Sequence, residues 1–275
     1  MPLTPMGELD RSARPGGLGA FNVIQLEHAE AIVAGAEAAE RPVVLQVSEN
    51  TARYHGALSP ITSACLAVAR ASSTPVAVHL DHATSADLVD EAVELGVPSV
   101  MFDASALPHD DNLAATYAVA NRCHGRGVWV EAELGEVGGK DGVHAPGVRT
   151  DPDDAAAYVA ATKVDALAVA VGSSHAMLTR DAVLDDDLIA RIAAAVDVPL
   201  VLHGSSGVPD DGIVSAVRHG MRKVNIATQL NKEFTAAVRT ALGDEAMVDP
   251  RKYLGPGRDA VAAEVERLLR LLSLR

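Results

Sequence analysis

Short runs rich in valine, leucine and isoleucine recur along the chain, and longer alanine-rich stretches with apolar residues at helical spacing separate them. Eight such runs read as strands: Leu18 to Val23, Val43 to Ser48, Val76 to His82, Val100 to Ser105, Val128 to Gly135, Ala166 to Ser173, Leu200 to Ser205 and Val224 to Thr228. Helices are expected between them, among them Leu26 to Glu40, Ser85 to Leu95, Asn112 to His124 and Leu188 to Val196. Start signals agree with the pattern. Ser85 and Asp210 stand where caps belong, and Asp151 precedes a proline that occupies the first helical position. Eight β/α units without a G-x-G-x-x-G after the first strand favour a closed (β/α)₈ TIM barrel over an open doubly wound sheet. One domain is expected to span residues 1–275, and an amphipathic C-terminal helix bearing Val261, Val265, Leu268 and Leu272 should pack on its own barrel, with a subunit contact as the alternative.

Composition narrows the partners. With 48% hydrophobic residues in 275, a large core can be buried, and a formal charge of -14 disfavours nucleic acid and anionic membranes. Two cysteines, Cys65 and Cys123, are too few for a disulfide framework, which points to a reducing cytoplasm. No apolar stretch reaches the roughly 18 residues of a membrane span, and no signal pattern opens the chain.

In a barrel of this class the chemistry lies at the C-terminal ends of the strands. Those ends here carry Asn22, Ser48, Asp81 and His82, Asp103 and Ser105, Glu133, His175, His203 with Ser206, and Asn225 with Thr228. Polarity at strand ends is ordinary, and any one histidine is equally well read as a hydrogen-bonded structural residue. Three imidazoles from separate strands together fit a catalytic zinc with an open position, whereas their wide spacing excludes a zinc finger. His79, two residues before Asp81, shares its strand face; a structural packing role is the first reading, and orienting the aspartate or a metal ligand is the alternative. Schiff-base chemistry is disfavoured, because Lys163 and Lys223 are expected to precede their strands, at the opposite rim, and Lys140, Lys232 and Lys252 fall on loops or late helices.

The segments AFNVIQLE, VAVHLDHATS, SVMFDAS, VEAELGEVGG, LAVAVGSSH, LVLHGSSGVP, KVNIATQLN and DPRKYLGP resemble, in order and spacing, the class II metal-dependent fructose- and tagatose-bisphosphate aldolases. The compact length is similar to the shorter, tagatose-type branch. The resemblance implies Zn²⁺ on His82, His175 and His203, with Asp103 and Glu133 as carboxylates at an alternative metal position. It implies Asp81 as the group that takes the C4 hydroxyl proton. It further implies ketose and phosphate contacts at Asn22, Gly172, Gly204, Ser206, Asn225, Ala227 and Thr228, and contacts to the second phosphate at Ser48 and Arg251, the arginine reaching in from a neighbouring subunit. A monovalent cation, Na⁺ or K⁺, would sit near the phosphate.

The implied reaction is reversible cleavage of a ketose 1,6-bisphosphate to dihydroxyacetone phosphate and glyceraldehyde 3-phosphate. Such cleavage leaves an enediolate, whose charge a Lewis acid stabilises. A homodimer or homotetramer is implied, with an accessory subunit as a further partner. Departures keep alternatives open. Lys140, Asp141 and Gly142 stand where the family carries a catalytic loop glutamate, so Asp141 would exchange the proton with one methylene less, and Ala176 and Leu178 replace a usual glycine and tyrosine. A catalytically weakened paralogue that binds sugar phosphates or a partner subunit is one alternative, and an aldolase for a phosphogluconate-type substrate is another.

Overall fold

The computed structural model describes residues 3–134, 149–173 and 179–274. Its eight strands form a closed, wholly parallel barrel in chain order: β1 Leu18–Asn22, β2 Val43–Ser48, β3 Val76–Ala83, β4 Ser99–Phe102, β5 Trp129–Glu133, β6 Ala166–Ala168, β7 Leu200–Leu202 and β8 Met221–Ile226. The (β/α)₈ architecture read from the sequence is the one observed. Helices α1 Met6–Ala13, α2 Leu26–Ala39, α3 Glu49–His55, α4 Ser59–Ala71, α5 Ala86–Glu94, α6 His109–His124, α7 Pro152–Thr162, α8 Asp186–Ala195, α9 Asp210–His219, α10 Thr228–Ala241 and α11 Pro250–Leu272 surround it. None of these helices is long and apolar enough to cross a membrane.

The period-2 alternation of each strand divides its side chains between two environments. Outward residues such as Phe21, Leu45, Val78, Leu80, Val130, Leu167 and Leu202 meet the apolar faces of the helices and form the main core. Each such fully buried side chain contributes on the order of 1.5–3 kcal/mol. The inward residues at the lower end are apolar, and there Leu18, Ala20, Val44 and Ala77 are closed off by Met6, Leu9 and Ala13 of α1. Higher in the barrel many inward positions turn polar, among them Gln46, His79, Glu131, Glu133 and Asn225, and that change creates the site.

The long helix α11 buries Val261, Val265, Leu268, Leu269 and Leu272 against its own barrel, mainly through α2 and α10, as expected. Gly35 of α2 permits that approach, since a Cβ there would stand 2.5 Å from the Ala262 carbonyl oxygen and 2.8 Å from the Val265 Cβ.

Ser85 and Asp151 cap α5 and α7 through backbone N–H groups, as their sequence context indicates. Asp210 does not cap α9: its carboxylate instead receives Arg180 at 2.5 Å and Arg267 at 2.6 Å. Both partners are distant in sequence, and two guanidiniums outcompete a single backbone N–H. The start of β8 also differs from expectation. It lies at Met221, so Lys223 is inside the strand with its ammonium in the barrel interior, not at the lower rim. Glu131 from across the barrel neutralises it there, which is what permits a lysine at an inward position.

Candidate active site

At the upper rim a cavity of about 540 Å³ opens, lined by Asn22, Ser48, Asp81, His82, Asp103, Gly204, Ser206, Asn225, Ala227 and Thr228, together with Glu49, Asn50, Arg53 and Thr84. The first ten are positions singled out from the sequence. Glu133 and His203, each 1% exposed, lie buried beside His82, and candidate ligand atoms of these three residues lie within 4.8 Å of one another. Gly172 and Arg251 do not line the cavity of this chain. The Arg251 side chain is 90% exposed at the start of α11 and pairs with Asp249. His175 and Asp141 lie outside the described residues.

Asp81 and His82 are consecutive, yet both face the cavity, which a regular strand forbids. The structure resolves this by a shift in the β3–β4 register between Leu80 and Ala83, with His82 in the left-handed region at φ 51°. That conformation is uncommon for a residue other than glycine and is characteristic of sites where function dictates geometry.

The contacts of these groups are specific. Asn22 Nδ2 donates to Asp81 Oδ2 at 2.8 Å, and Gln46 Nε2 donates to Asn22 Oδ1 at 3.2 Å. His82 Nδ1 is 2.8 Å from Asp103 Oδ2, while the other Asp103 oxygen accepts from the backbone N–H and hydroxyl of Ser105. His203 lies between two glutamates, with Nε2 3.2 Å from Glu131 Oε1 and Nδ1 3.4 Å from Glu133 Oε2. Below them Lys223 Nζ donates to Glu131 Oε2 at 2.8 Å, and His79 Nδ1 meets Ser99 Oγ at 2.7 Å.

Electrostatics follow from this packing. Burial acts to raise the Asp81 pKa, but the combined fields of His82, His203 and Lys223 outweigh it and hold the carboxyl below its usual range. Burial acts to lower the His203 pKa, yet its hydrogen bonds to Glu131 and Glu133 prevail and push it up to about 10. His82 is raised in the same way, with Asp81 and Asp103 overcoming burial. His79 goes the other way: burial, reinforced by Lys223, lowers it to about 3, so the ring is neutral.

Two backbone features shape the other side of the cavity. Gly204 takes φ 66° ahead of a single 3₁₀ turn, Ser205–Gly207. Helix α10 begins there with Ala227 at the cap and no side-chain cap, while Ser206 Oγ accepts from the Gln229 N–H at 3.3 Å. A helix start without its own capping side chain is suited to receive an anion. On the opposite side Ser48 Oγ is the cap of α3, accepting from the Thr51 N–H.

The family model described as class II fructose-bisphosphate aldolase matches residues 9–274. The chain belongs to the class II fructose-bisphosphate aldolase family. It is a class II aldolase, a carbon–carbon lyase. Two relatives, both called fructose-bisphosphate aldolase, are similar over nearly their whole length. The one from Geobacillus stearothermophilus is 40% identical over 96% of this chain and 95% of its own, and the one from Staphylococcus epidermidis is 38% identical over 98% and 97%. The crystal structure of the YdjI aldolase from Escherichia coli K12 superposes with a TM-score of 0.87 at 30% identity, covering 98% of this chain and 97% of the other.

For this aldolase the sequence did not disclose Gln46, Glu131 or Lys223 as interior groups, nor Glu49, Asn50, Arg53 and Thr84 as lining. A signal for the first three exists. Each stands two residues before a rim residue, Ser48, Glu133 or Asn225, just as His79 precedes Asp81, so the strand period places all four on the inward face.

Proposed function

We propose that this aldolase is zinc-dependent and reversibly cleaves fructose 1,6-bisphosphate to dihydroxyacetone phosphate and glyceraldehyde 3-phosphate. The observation that carries the reading is the meeting of His82, Glu133 and His203 beside Asp81. Two imidazoles and a carboxylate suit the nitrogen and oxygen preferences of Zn²⁺, and the donor set fits that ion. His82, His203 and, by resemblance, His175 are the assigned ligands, with Glu133 and Asp103 as accessory carboxylates. Engagement of His82 Nδ1 by Asp103 makes Nε2 the nitrogen that His82 would present. When bound, the ion supplies Lewis acidity toward the oxygens of the ketone half.

The remaining chemistry belongs to side chains. Asp81 takes the proton from the C4 hydroxyl in cleavage and returns it in condensation. A carboxylate kept ionised by neighbouring cations and oriented by Asn22 supports that role. Asn225 contacts the ketone half, and Gly204, Ser206, Ala227 and Thr228 cradle its phosphate at the start of α10, with Gly172 and a monovalent cation nearby. Asp141 is assigned the second proton exchange by resemblance alone. Ser48 addresses the other phosphate together with Arg251 from a neighbouring subunit, in a homodimer or homotetramer. That Arg251 stands outside its own chain's cavity supports this arrangement. Buried, unpaired Cys65 and Cys123 accord with a cytoplasmic home. The fructose name of both relatives favours fructose over tagatose or a phosphogluconate-type substrate.

The test is a cleavage assay across fructose and tagatose bisphosphates, with and without chelator, on the native protein and Asp81→Ala. Loss of cleavage in the variant with zinc content unchanged is expected. Normal turnover by Asp81→Ala would sink the assignment, and bound zinc with no cleavage of any bisphosphate by the native protein would replace it with a binding role.

A further inference from the structure

We propose that Glu131 and Lys223 act as a positioning pair for His203, fixing which ring nitrogen this histidine turns toward the metal position. This inference rests on the zinc reading above. Neither residue reaches the cavity: they lie one pleat repeat beneath the rim, 1% and 5% exposed. A salt bridge so deep is weak evidence for stability, because well-packed apolar side chains of similar volume serve a barrel interior as well or better. Its geometry points to a directional role.

A carboxylate can only accept. Glu131 Oε1, 3.2 Å from His203 Nε2, therefore keeps a proton on that nitrogen. Nδ1 faces Glu133 at 3.4 Å, on the side of the metal cluster, so it is the nitrogen whose proton a metal would displace while Nε2–H stays held by Glu131. Glu131 is itself restrained on its other oxygen by Lys223 at 2.8 Å, with His79 Nε2 3.8 Å away on a further side. His79 is anchored in turn by Ser99. With both oxygens occupied, Glu131 cannot rotate up to compete as a ligand, whereas Glu133, two residues later on the same face of β5, is in the cluster. Two glutamates in one strand thus have different tasks: one faces the metal position and the other holds a ligand in its tautomer. Lys223 balances the charge of Glu131, so the restraint adds no net negative charge beneath the site.

The experiment compares native protein with Glu131→Gln and with the charge-balanced Glu131→Leu/Lys223→Met. Metal-free samples are titrated with Zn²⁺ against a chromogenic chelator, and with Co²⁺ while its visible absorption is recorded. Circular dichroism monitors the fold. Removing partners of this kind is expected to weaken metal affinity 10- to 100-fold. The Co²⁺ band should change in both variants: in Glu131→Gln, Lys223 holds the amide oxygen and turns the amide N–H groups toward Nε2, and in the double variant no acceptor for Nε2–H remains. The double variant matters most, since it restores charge balance without restoring the acceptor. If it folds and binds Co²⁺ with native affinity and a native band, the pair merely fills the barrel and the proposal is overturned. Native protein that takes up no metal, or takes it up equally well as His203→Ala, overturns the zinc reading and this inference with it. Native binding through His203 with unaffected variants overturns this inference alone.

Discussion

Replacing His82 by glycine and by alanine isolates the energy stored where Asp81 and His82 are brought to the same face. Both substitutions delete the imidazole and its bond to Asp103, so those losses cancel in the comparison and the backbone difference remains. In an ordinary strand alanine is more stable than glycine by about 0.5–1 kcal/mol, because glycine loses more chain entropy on folding. At φ 51° the preference should invert. A side chain in the left-handed region costs roughly 1–2 kcal/mol, a penalty glycine escapes. Taken at their midpoints, the two terms leave His82→Gly more stable than His82→Ala by about 0.75 kcal/mol. At about 2–4 °C per kcal/mol for a chain near this size, the glycine variant should melt about 1.5–3 °C higher. Metal-free samples unfolded in urea with chelator present give the comparison directly, and equal m-values establish that the unfolding transitions are comparable. An alanine variant as stable as the glycine variant, or more so, would refute the claim that this peptide is held against its own preference.

Two further tests probe the surroundings. The folded pKa of His79, about 3, lies below the ordinary value of about 6.5, so the unfolded chain binds a proton that the folded chain refuses. Stability should fall as pH drops through the window from about 6.5 to about 3, and His79→Gln should flatten that slope in chelator-treated protein; an unchanged slope would assign the acid sensitivity to other groups. Gly35→Ala drives a methyl into the Ala262 carbonyl and Val265, and should destabilise by about 1–3 kcal/mol in chemical denaturation, whereas a neutral result would mean α2 and α11 do not pack this closely.

The barrel and its rim were legible because both follow from periodicity: an apolar run followed by a polar residue marks a strand and its upper end. Eight such ends converge once the sheet closes, which is why Asn22, Asp81, Asp103, His203 and Asn225 meet although they are far apart in the chain. What lay deeper was harder to read. Glu131 sits between Val130 and Ala132, and Lys223 follows Met221 and Arg222, so each resembles an interruption rather than an inward polar layer. Their pairing spans the barrel, and no local rule anticipates a partner 92 residues away. Asp210 misled for the same reason, its guanidinium partners coming from a distant loop and from α11. The left-handed turn at His82 was invisible because His82 lacks the glycine that usually advertises one.

Helix α1 makes the barrel a vessel with a closed floor. Met6, Leu9 and Ala13 seal the lower end against Leu18, Ala20, Val44 and Ala77 with an apolar plug. Among the described residues, the cavity that reaches Asp81 opens over the rim, at the end opposite this plug. Visitors to such a vessel queue. On the zinc reading, a metal would be seated before a substrate covers it, and a chelator offered to the loaded enzyme would wait until product has left.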